Sequence, residues 1–393
     1  MIRQIDIENF RSIKKQSIPV KKLNILYGPN GAGKSSVMYA PYVFRNLCVN
    51  PNQRLDNLFN LSFIHLGGFD NVLSNDGKEN DNYINISIAN EIEIYDNKGP
   101  QKADFKYSLV LENEEMGFWG PQVNFKLNDI YENISFALPY SLTTKKEITL
   151  NNFSFLWNGL TFENINNTES LTARVLNKTY EAVKNLELIS VKRGFFNPIF
   201  STEQPTEESE FAFSIRQQEK DFESKIDHYF KQIFDKTFRF VAIPGSTSFY
   251  LRTQNKKGFT TDLVNEGFGV NQTIYMLIKL LKRSTSLAFI EEPEIHLHPS
   301  AQNKLVDVFT EIIQKEGKQI FLTTHSENIA SSVLNKIAKG ELSTNDVQFY
   351  LAEAENDETK IIPQTVNEKG QIEGGLLSFM ETELANLKTL LGV

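Results

Sequence analysis

The chain has 393 residues, of which 40% are hydrophobic and 23% charged, a globular composition that can bury a substantial core and excludes a disordered protein. The net charge of −8 excludes a uniformly basic nucleic-acid-binding protein, although a local basic patch is compatible with it. The lone cysteine, Cys48, excludes an intramolecular disulfide and a cysteine-based zinc cluster, and no apolar run approaches the roughly 20 residues that cross a bilayer, so we expect a cytoplasmic protein without a membrane partner.

The first part of the chain carries mainly β patterns. Residues 2–10 alternate apolar and polar side chains, and residues 22–27 form a short, largely apolar run that is typical of a buried strand. Between residues 82 and 127, further alternating stretches are separated by turns rich in Asn, Asp, Gly and Lys, which predicts an antiparallel β-rich region. Residues 128–167 are rich in asparagine and weakly patterned, so we predict no element there.

Helical patterns return in the second half of the chain. They occur at residues 169–185 and more strongly at 219–236, where apolar side chains line one face. No heptad repeat is sustained, so we expect no long coiled-coil arm. After Gly258 the pattern runs as a strand, a loop, helix 271–283, strand 287–290, helix 300–316, strand 319–323 and helix 327–339. This alternation predicts an α/β fold with a partly parallel sheet.

A glycine-rich phosphate loop, residues 28–36, joins the apolar run at 22–27 to a predicted helix. Its sequence GPNGAGKSS fits G-x-x-x-x-G-K-[ST] in the required strand–loop–helix context. The glycines let backbone N–H groups turn toward phosphate oxygens, and the helix start adds a favourable dipole. We expect Lys34 to reach the β- and γ-phosphates and the Ser35 hydroxyl to bind Mg²⁺. The predicted nucleotide-binding residues of the loop are Gly28, Pro29, Asn30, Gly31, Ala32, Gly33, Lys34, Ser35 and Ser36.

Two adjacent carboxylates, Glu291 and Glu292, end the predicted strand at 287–290. They repel each other unless a cation compensates them. A phosphate loop requires a second acidic site that holds Mg²⁺ and activates water, so we predict Glu291 as the metal ligand and Glu292 as the residue that polarises the attacking water. The alternative is an acidic surface turn, which the phosphate loop upstream disfavours.

A histidine, His325, follows the predicted strand at 319–323 within the sequence TTHSE. Taken alone, such a histidine is more often a surface or capping residue. Its place one helix and one strand after Glu292 favours a hydrogen bond to the γ-phosphate instead. The predicted catalytic set is therefore Lys34, Glu292 and His325.

In this order and spacing, the phosphate loop, the acid pair and the TTHS segment resemble the ABC-type ATPase heads of the SMC/RecF/OLD branch. Residues 5–13, IDIENFRSI, are similar to the first strand of those heads, where an arginine near the position of Arg11 approaches nucleotide or DNA. The sequence EGFGVNQ, followed by EEPEIHLHP, is closer to stand-alone bacterial ATPases that are often linked with antiphage or toxin-like operons. The resemblance covers residues 1–50 and 260–340.

The resemblance implies a P-loop NTPase of the ABC-ATPase head type, with a mixed sheet flanked by helices, a β-rich N-terminal lobe and an α/β insertion. The glutamine loop of such heads has no clear counterpart here, with Gln53 or the stretch 66–71 as candidates. We expect a single head over 1–393, divided into an N-terminal lobe at 1–127, an insertion at 128–258, a C-terminal lobe at 259–340 and a hairpin and helix at 341–393.

A signature-like segment, residues 264–272, occupies the place of the signature motif of these heads. The resemblance implies that this loop and the following helix cap the γ-phosphate held by a facing protomer, so that ATP closes a homodimer. Gly267 and Gly269 permit close approach and Asn271 can cap the helix, so these three residues are predicted to contact nucleotide. The segment departs from the usual LSGGQ, and the residue equivalent to its serine stays unassigned.

Other polar clusters have simpler interpretations. His296 and His298 are expected at the interface with a second protomer, with a metal site as the alternative. The acidic run at 352–358 lies between two strand patterns and predicts a hairpin turn with solvated charges. The 68 residues after His325 (393 − 325) contain no Asp-x-Asp, so we expect no built-in nuclease of the OLD type.

Five basic doublets are scattered along the chain, and they predict solvated charges or, where they converge on one face, a track for a DNA backbone. Among them, Arg193 is the first candidate for a DNA contact. The doublets are Lys14-Lys15, Lys21-Lys22, Lys145-Lys146, Lys192-Arg193 and Lys256-Lys257.

These patterns lead to a primary functional hypothesis and an alternative. The first is an ATPase with Mg²⁺ as cofactor, whose dimer switches conformation and controls a partner nuclease or toxin in bacterial defence. The alternative is a DNA-binding ATPase of repair or genome maintenance, which residues 5–13 and the basic doublets favour and the missing coiled coil disfavours. A transporter ATPase is disfavoured by the β-rich region, and a nucleotide-binding scaffold without turnover is disfavoured by Glu292.

Overall fold

A computed structural model describes residues 1–74, 82–96, 99–113, 119–136, 140–141, 143, 145–150, 153–165, 171–201 and 221–376. The chain divides into two compact units. The first comprises Met1–Leu188 and Gln348–Thr365, and the second comprises Ile189–Val347 and the segment from Val366 onward.

Strands and helices alternate in the second half of the described chain, as the sequence predicts. The strands are β1 Gln4–Phe10, β2 Ile13–Pro19, β3 Leu23–Tyr27, β4 Tyr83–Asp96, β5 Gly99–Asn113, β6 Trp119–Leu127, β7 Ile130–Ser135, β8 Lys146–Leu150, β9 Phe153–Trp157, β10 Phe162–Asn164, β11 Glu187–Ile189, β12 Phe200–Ser201, β13 Thr237–Ala242, β14 Ser248–Gln254, β15 Thr260–Asp262, β16 Leu287–Glu291, β17 Gln319–Thr324, β18 Val347–Glu355 and β19 Glu358–Gln364. The α-helices are α1 Lys34–Val49, α2 Phe69–Val72, α3 Leu171–Lys184, α4 Phe222–Phe234, α5 Phe268–Leu281, α6 Pro299–Lys315 and α7 Glu327–Ala338.

The first unit contains an antiparallel sheet in the order β2-β1-β4-β5-β6-β7. The alternation of apolar and polar residues explains why these segments form a sheet. In β1 the side chains of Ile5 and Ile7 are buried, while their neighbours are partly exposed. This sheet includes the predicted β-rich region at 82–127. The sequence analysis missed the small antiparallel sheet β10-β9-β8, whose buried Trp157 packs edge-on against Phe125 with ring centroids 4.8 Å apart.

The first unit also holds β3 in the strand order β3-β18-β19. All five residues of β3 are buried, as its apolar sequence predicts. Strands β18 and β19 pair antiparallel, and Asn356 and Asp357 both take positive φ in the turn between them. Paired positive-φ residues are typical of tight hairpin turns. The acidic run at 352–358 is therefore the predicted hairpin.

The second unit contains the parallel pair β16 and β17, with Leu287 beside Gln319 and Glu291 beside Thr323. Helix α6 forms the crossover between them, which is the βαβ arrangement that the sequence predicts. A separate antiparallel group in this unit has the order β12-β14-β13, with β15 also paired to β14.

Helix boundaries agree with the predictions to within a few residues, and one of these small shifts affects the site. The helix predicted at 271–283 is α5, which begins at Phe268 and ends at Leu281. Residues 169–170 and 219–220 of two predicted helices, and the predicted C-terminal helix beyond residue 376, lie outside the described residues. Within the described part of the chain, no helix combines the length and apolar character needed to span a membrane.

Candidate functional site

The phosphate loop depends on glycine at positions where a side chain has no room. Helix α1 begins at Lys34, directly after Gly33, which has φ 80°. A Cβ on Gly33 would lie 1.9 Å from Oγ1 of Thr359, and a Cβ on Gly28 would lie 2.3 Å from the carbonyl oxygen of Ala352. The loop thus lies against both strands of the β18–β19 hairpin, and only glycine permits this approach.

Lys34 lies within the loop rather than in solvent. Its side chain is 9% exposed, and its Nζ donates to the carbonyl oxygens of Gly28 at 3.0 Å and Pro29 at 2.8 Å. The hydroxyl-bearing Ser35 is half-buried, and the Ser36 N–H donates to the Gly33 carbonyl at 3.0 Å. A helix start, a buried ammonium and a half-buried hydroxyl within one turn form an arrangement suited to a phosphate and its metal ion.

The turn between β1 and β2 meets the same hairpin. The Ser12 hydroxyl lies 2.7 Å from Oγ1 of Thr359, and the Thr359 N–H donates to the Ser12 carbonyl. Exposed Arg11 takes φ 54°, and its guanidinium carbon lies 5.8 Å from the ring centre of Tyr39 in helix α1. Thr359 therefore connects this turn to Gly33, and no local motif in the sequence marks it.

Gln53 has a local partner of its own. Its side-chain amide donates to the Asn46 carbonyl at 2.9 Å, and Asn46 lies in the last turn of α1. This bond ties residue 53 to the end of the helix that starts in the phosphate loop. The structure gives no further reason to assign the glutamine loop to this residue.

In the second unit, an acidic loop, residues 291–294, follows the buried strand β16. Glu291 is 5% exposed and lies beside Thr323 of β17, whereas the Glu292 side chain is 33% exposed. Glu292 has φ 41°, and its N–H donates to the Thr323 carbonyl at 3.0 Å. The two adjacent carboxylates therefore occupy different environments, one buried and one facing water.

His325 and Glu292, predicted as catalytic partners, are close neighbours. Nε2 of His325 lies 3.7 Å from Oε1 of Glu292. Parallel strands bring them together, because β16 and β17 end at the same edge of the sheet. The structure thus places the predicted base and the predicted γ-phosphate sensor at one edge.

Glu294 is a site residue that the sequence analysis missed. Its Oε1 accepts the Thr324 hydroxyl at 2.7 Å and the His325 N–H at 2.8 Å. Burial raises the pKa of the Glu294 carboxyl above its usual value, and the hydrogen bonds from Thr324 and His325 oppose this shift. The sequence offered one signal for this residue, the third acid of EEPE. In the structure its carboxylate holds the backbone that carries His325.

The signature-like segment differs from its prediction in one respect. Gly267 occupies the N-cap position of α5, so Asn271 lies inside the helix and does not cap it. Gly269 is buried, and a Cβ there would lie 2.4 Å from the His296 carbonyl oxygen. Phe268 between them is 61% exposed, with its ring centre 5.6 Å from that of His296. The start of α5 therefore packs closely on the chain after the acidic loop.

The two histidines of that stretch have distinct environments. His296 is exposed with φ 62°, whereas His298 accepts the Ser300 N–H at the start of α6. A capping role thus accounts for His298 without a metal. Over the described ranges, no group of three His, Cys, Asp or Glu residues is arranged to hold a metal ion.

The prediction that Arg193 contacts DNA is wrong. Arg193 is 2% exposed, and its guanidinium donates to backbone carbonyls inside the second unit. Other doublets carry ion pairs with acids, which link Lys15 to Glu8, Lys145 to Glu163, Lys146 to Glu132 and Lys256 to Asp235. These partners offset the positive charge that a DNA track requires.

The amino-acid sequence is similar to a protein family and to one curated protein. A family model described as an AAA ATPase domain matches residues 1–330. The Old nuclease of Escherichia phage P2 is 34% identical over 82 residues, which cover 18% of this chain and 14% of that protein. The chain therefore matches only a small part of the length of that relative.

Several solved structures are similar over most of their length. The SMC head domain from Thermotoga maritima covers 93% of this chain and 99% of its own, with 9% identity and a TM-score of 0.46. A SmcHead bound to the C-winged helix domain of ScpA covers 92% and 97%, with 12% identity and a TM-score of 0.48. A Smc head with an extended coiled coil bound to the C-terminal domain of ScpA, derived from Pyrococcus furiosus, covers 99% of each chain, with 12% identity and a TM-score of 0.44. The family match over residues 1–330 and the partial match to the Old nuclease confirm the predicted resemblance to ATPase heads and the P-loop α/β fold class.

Proposed function

The chain belongs to the AAA ATPase domain family, and from that premise we propose that it binds ATP with Mg²⁺ and hydrolyses it to ADP and phosphate. The observation that carries the proposal is the Glu292 carboxylate, half-exposed and 3.7 Å from His325, one residue after the buried Glu291. A carboxylate that water can reach, next to a buried one, suits a general base beside a metal ligand.

The residues of the phosphate loop fit a nucleotide phosphate. Gly28 and Gly33 let the backbone lie close to the neighbouring hairpin, since a Cβ at either position would collide with it. The loop leads into the start of α1, where backbone N–H groups attract anions. Lys34 exchanges its loop carbonyls for β- and γ-phosphate oxygens. Residues 29–32 and Ser36 complete the backbone around the phosphates.

The Ser35 hydroxyl and the Glu291 carboxylate would supply oxygen ligands for Mg²⁺, both of the type that Mg²⁺ prefers. The ion, when bound, neutralises charge on the phosphates. The longer side chain of glutamate at position 291 also permits contact through a water molecule.

Glu292 and His325 carry the chemical step in this proposal. Glu292 takes the proton of a water molecule as the water oxygen bonds to the γ-phosphorus and the bond to the bridging β–γ oxygen breaks. His325 donates a hydrogen bond to the γ-phosphate oxygens. The products are ADP and inorganic phosphate, and Glu292 then releases its proton to solvent.

The output of the cycle is a dimer that controls a partner effector, a nuclease or toxin of a bacterial defence system. The exposed start of α5, at Gly267 and Phe268, supplies the surface for a second copy of the chain. Buried Gly269 and Asn271 support that surface from below. The ion-paired basic doublets weigh against the alternative of a DNA-binding repair ATPase.

ATP turnover and oligomeric mass of the wild type and Glu292→Gln, each with and without duplex DNA, test the proposal. We expect Glu292→Gln to lose turnover about 10³-fold, to bind ATP as tightly as the wild type, and to accumulate as an ATP-bound dimer without DNA. Glu341→Gln, a surface acid paired with Lys336, is the matched control and keeps its turnover. Unchanged turnover in Glu292→Gln refutes the assigned base, and strong stimulation by DNA favours the repair alternative.

A further inference from the structure

Arg193 is a buried cation that bonds to the acidic loop and has no role in the chemistry above. Its NH1 group donates to the Ser190 carbonyl at 3.0 Å and to the Glu291 carbonyl at 2.6 Å, and its NH2 group donates to the Glu292 carbonyl at 2.8 Å. Burial lowers the pKa of Arg193 to about 10, although Glu294, Glu291 and Glu292 oppose the shift. Burial of a guanidinium is costly, and here three bonds to backbone carbonyls compensate it, while Nε has no hydrogen-bond partner within the described residues.

The two bonds to the acidic loop fix both peptide groups that flank the Cα of Glu292. The Glu291 carbonyl belongs to the peptide before that Cα, and the Glu292 carbonyl belongs to the peptide after it. The N–H of the first peptide donates to Thr323, so the first peptide plane is held from both sides. Glu292 has φ 41°, a left-handed conformation that residues other than glycine rarely adopt and that persists only when its surroundings impose it. Arg193 donates to the carbonyls of both peptides, and the Glu292 carbonyl also accepts the Ile295 N–H at 3.2 Å.

Asn271 in turn fastens the segment that carries Arg193 to helix α5. Its Oδ1 accepts the Phe195 N–H at 2.8 Å, and its Nδ2 donates to the Phe195 carbonyl at 2.8 Å and to the Leu263 carbonyl at 3.2 Å. Gly194 lies between the two contacts with φ 140°, and a Cβ there would lie 3.1 Å from Asn271 Oδ1. The start of the signature-like helix is thus connected to the acidic loop through two side chains.

We propose that Arg193 is the positioning residue of this ATPase: it holds the backbone of Glu292 in the left-handed conformation that directs its carboxylate to His325, and Asn271 anchors Arg193 to the signature-like helix. The proposal rests on the ATPase function proposed above. Arg193 acts through Glu292 and makes no contact with substrate. Arginine suits this geometry, because NH1 and NH2 of one planar guanidinium donate to the two adjacent carbonyls in a fixed fork that an ammonium lacks.

Lys318 provides a matched control in the same unit. It is also a buried cation that bonds backbone carbonyls, with Nζ donating to Lys282, Arg283 and Thr285. Its three acceptors lie outside the acidic loop. Removal of Lys318 therefore reports what the loss of a buried cation does to stability without altering Glu292.

The test compares Arg193→Met, Arg193→Lys and Lys318→Met by turnover, ATP affinity and melting temperature. We expect Arg193→Met to lower kcat about 10²-fold with ATP affinity within about threefold of the wild type, since small misplacements of a catalytic group have effects of this size. We expect Arg193→Lys to lower kcat less than Arg193→Met does. Lys318→Met lowers the melting temperature and leaves kcat within about twofold.

A double-mutant cycle separates positioning from general damage. In single-turnover reactions, Arg193→Lys combined with Glu292→Gln is no slower than Glu292→Gln alone, because the arginine acts only through that side chain. Asn271→Ala lowers kcat about tenfold, and it adds nothing to Arg193→Lys. Should Arg193→Met fail to fold, Arg193→Lys and Asn271→Ala carry the test.

Two kinds of failure are distinguishable. Absence of turnover in the wild type, or full turnover in Glu292→Gln, overturns the proposed function itself. With those results as expected, wild-type kcat in the Arg193 variants, or losses that multiply with Glu292→Gln, overturns the positioning role alone.

Discussion

The phosphate loop and the acidic loop each follow a buried strand, yet the side chains that donate hydrogen bonds to their carbonyls lie at very different distances along the chain. In the phosphate loop, Gly28, Gly31 and Gly33 take positive φ, and Lys34 bonds to carbonyls five and six residues earlier. In the acidic loop, Glu292 takes a left-handed conformation without being glycine, and its carbonyl is bonded by a side chain 99 residues earlier. Backbone conformation at a candidate site can thus be set by adjacent residues or by distant ones.

This difference predicts how the two loops respond to substitution. A change of a phosphate-loop glycine acts at the substituted residue itself, through backbone strain and collision. A change near the acidic loop acts through hydrogen bonds that hold the loop from outside, so conservative replacements at distant positions become informative.

The largest effect is expected from Gly33→Ala. The new Cβ would lie 1.9 Å from Oγ1 of Thr359 and the residue would keep φ 80°, so collision and strain add to about 4 kcal/mol. We expect ATP affinity to fall at least about 100-fold and the melting temperature to fall with it. Calorimetric titration with ATP and thermal melting measure both.

Gly31→Ala is the matched control for that change. Gly31 has the same φ of 80° but no atom within 4 Å of its added Cβ. Only the strain of the left-handed conformation remains, about 1 kcal/mol, with a correspondingly small loss of stability. Equal effects of the two alanines would show that the contact with Thr359 does not shape the loop.

The sequence allowed the elements that carry the phosphate loop, the acid pair and His325 to be predicted, because each follows an apolar run that marks a buried strand. The contact of Arg193 with the acidic loop could not be predicted, since its bond to Glu291 joins residues 98 positions apart and leaves no local pattern. For the same reason no local pattern indicated the contact of Thr359 with the phosphate loop.

Two errors in the predicted elements have tertiary causes. The start of α5 was placed three residues late because glycine disfavours helices, whereas packing of Gly269 on the His296 carbonyl holds that glycine in the first turn. The small sheet β8–β10 was missed because residues 128–167 alternate clearly only at Phe153–Trp157. Tertiary packing decided both.

A further substitution removes a hydrogen-bond acceptor from the acidic loop itself. Glu294→Ala leaves the Thr324 hydroxyl and the His325 N–H without their acceptor in a buried position, which costs about 2–3 kcal/mol. Glu294→Gln keeps an acceptor oxygen, so we expect it to be close to the wild type at neutral pH. Urea denaturation of both variants measures the difference, and equal stability would show that Glu294 does not support the loop.

The dependence of stability on pH distinguishes Glu294 from Glu311, another glutamate of the second unit. Burial raises the pKa of Glu294 above 4.5, so its contribution to stability is full below that pH and is lost as pH rises through the folded value. Hydrogen bonds from Lys315, Gln232 and His228 lower the pKa of Glu311 to about 2, so its contribution is present above pH 4.5 and is lost as pH falls toward 2.

Replacement by glutamine removes each titration. We expect the stability of Glu294→Gln relative to the wild type to increase as pH rises from 4.5 to 8. The deficit of Glu311→Gln is below about 1 kcal/mol because that side chain is solvated, and it should shrink between pH 5 and 3.5. Chemical denaturation at several pH values measures both trends, and trends of the same sign contradict the assignment.

The smallest effect on turnover is expected at one of two adjacent threonines at the end of β17. The Thr323 hydroxyl lies 3.4 Å from the Glu292 nitrogen, whose stronger bond at 3.0 Å is to the Thr323 carbonyl, so Thr323→Val should change kcat less than about threefold. The Thr324 hydroxyl donates to Glu294 at 2.7 Å and accepts the Ser326 N–H at 2.9 Å, so Thr324→Val should cost about 1–2 kcal/mol. Because both replacements are the same and both sites are buried, steady-state kinetics and urea denaturation can separate the hydroxyl that supports the loop from the one that does not. A larger loss of turnover in Thr323→Val would mean that this hydroxyl, rather than the backbone held by Arg193, orients Glu292.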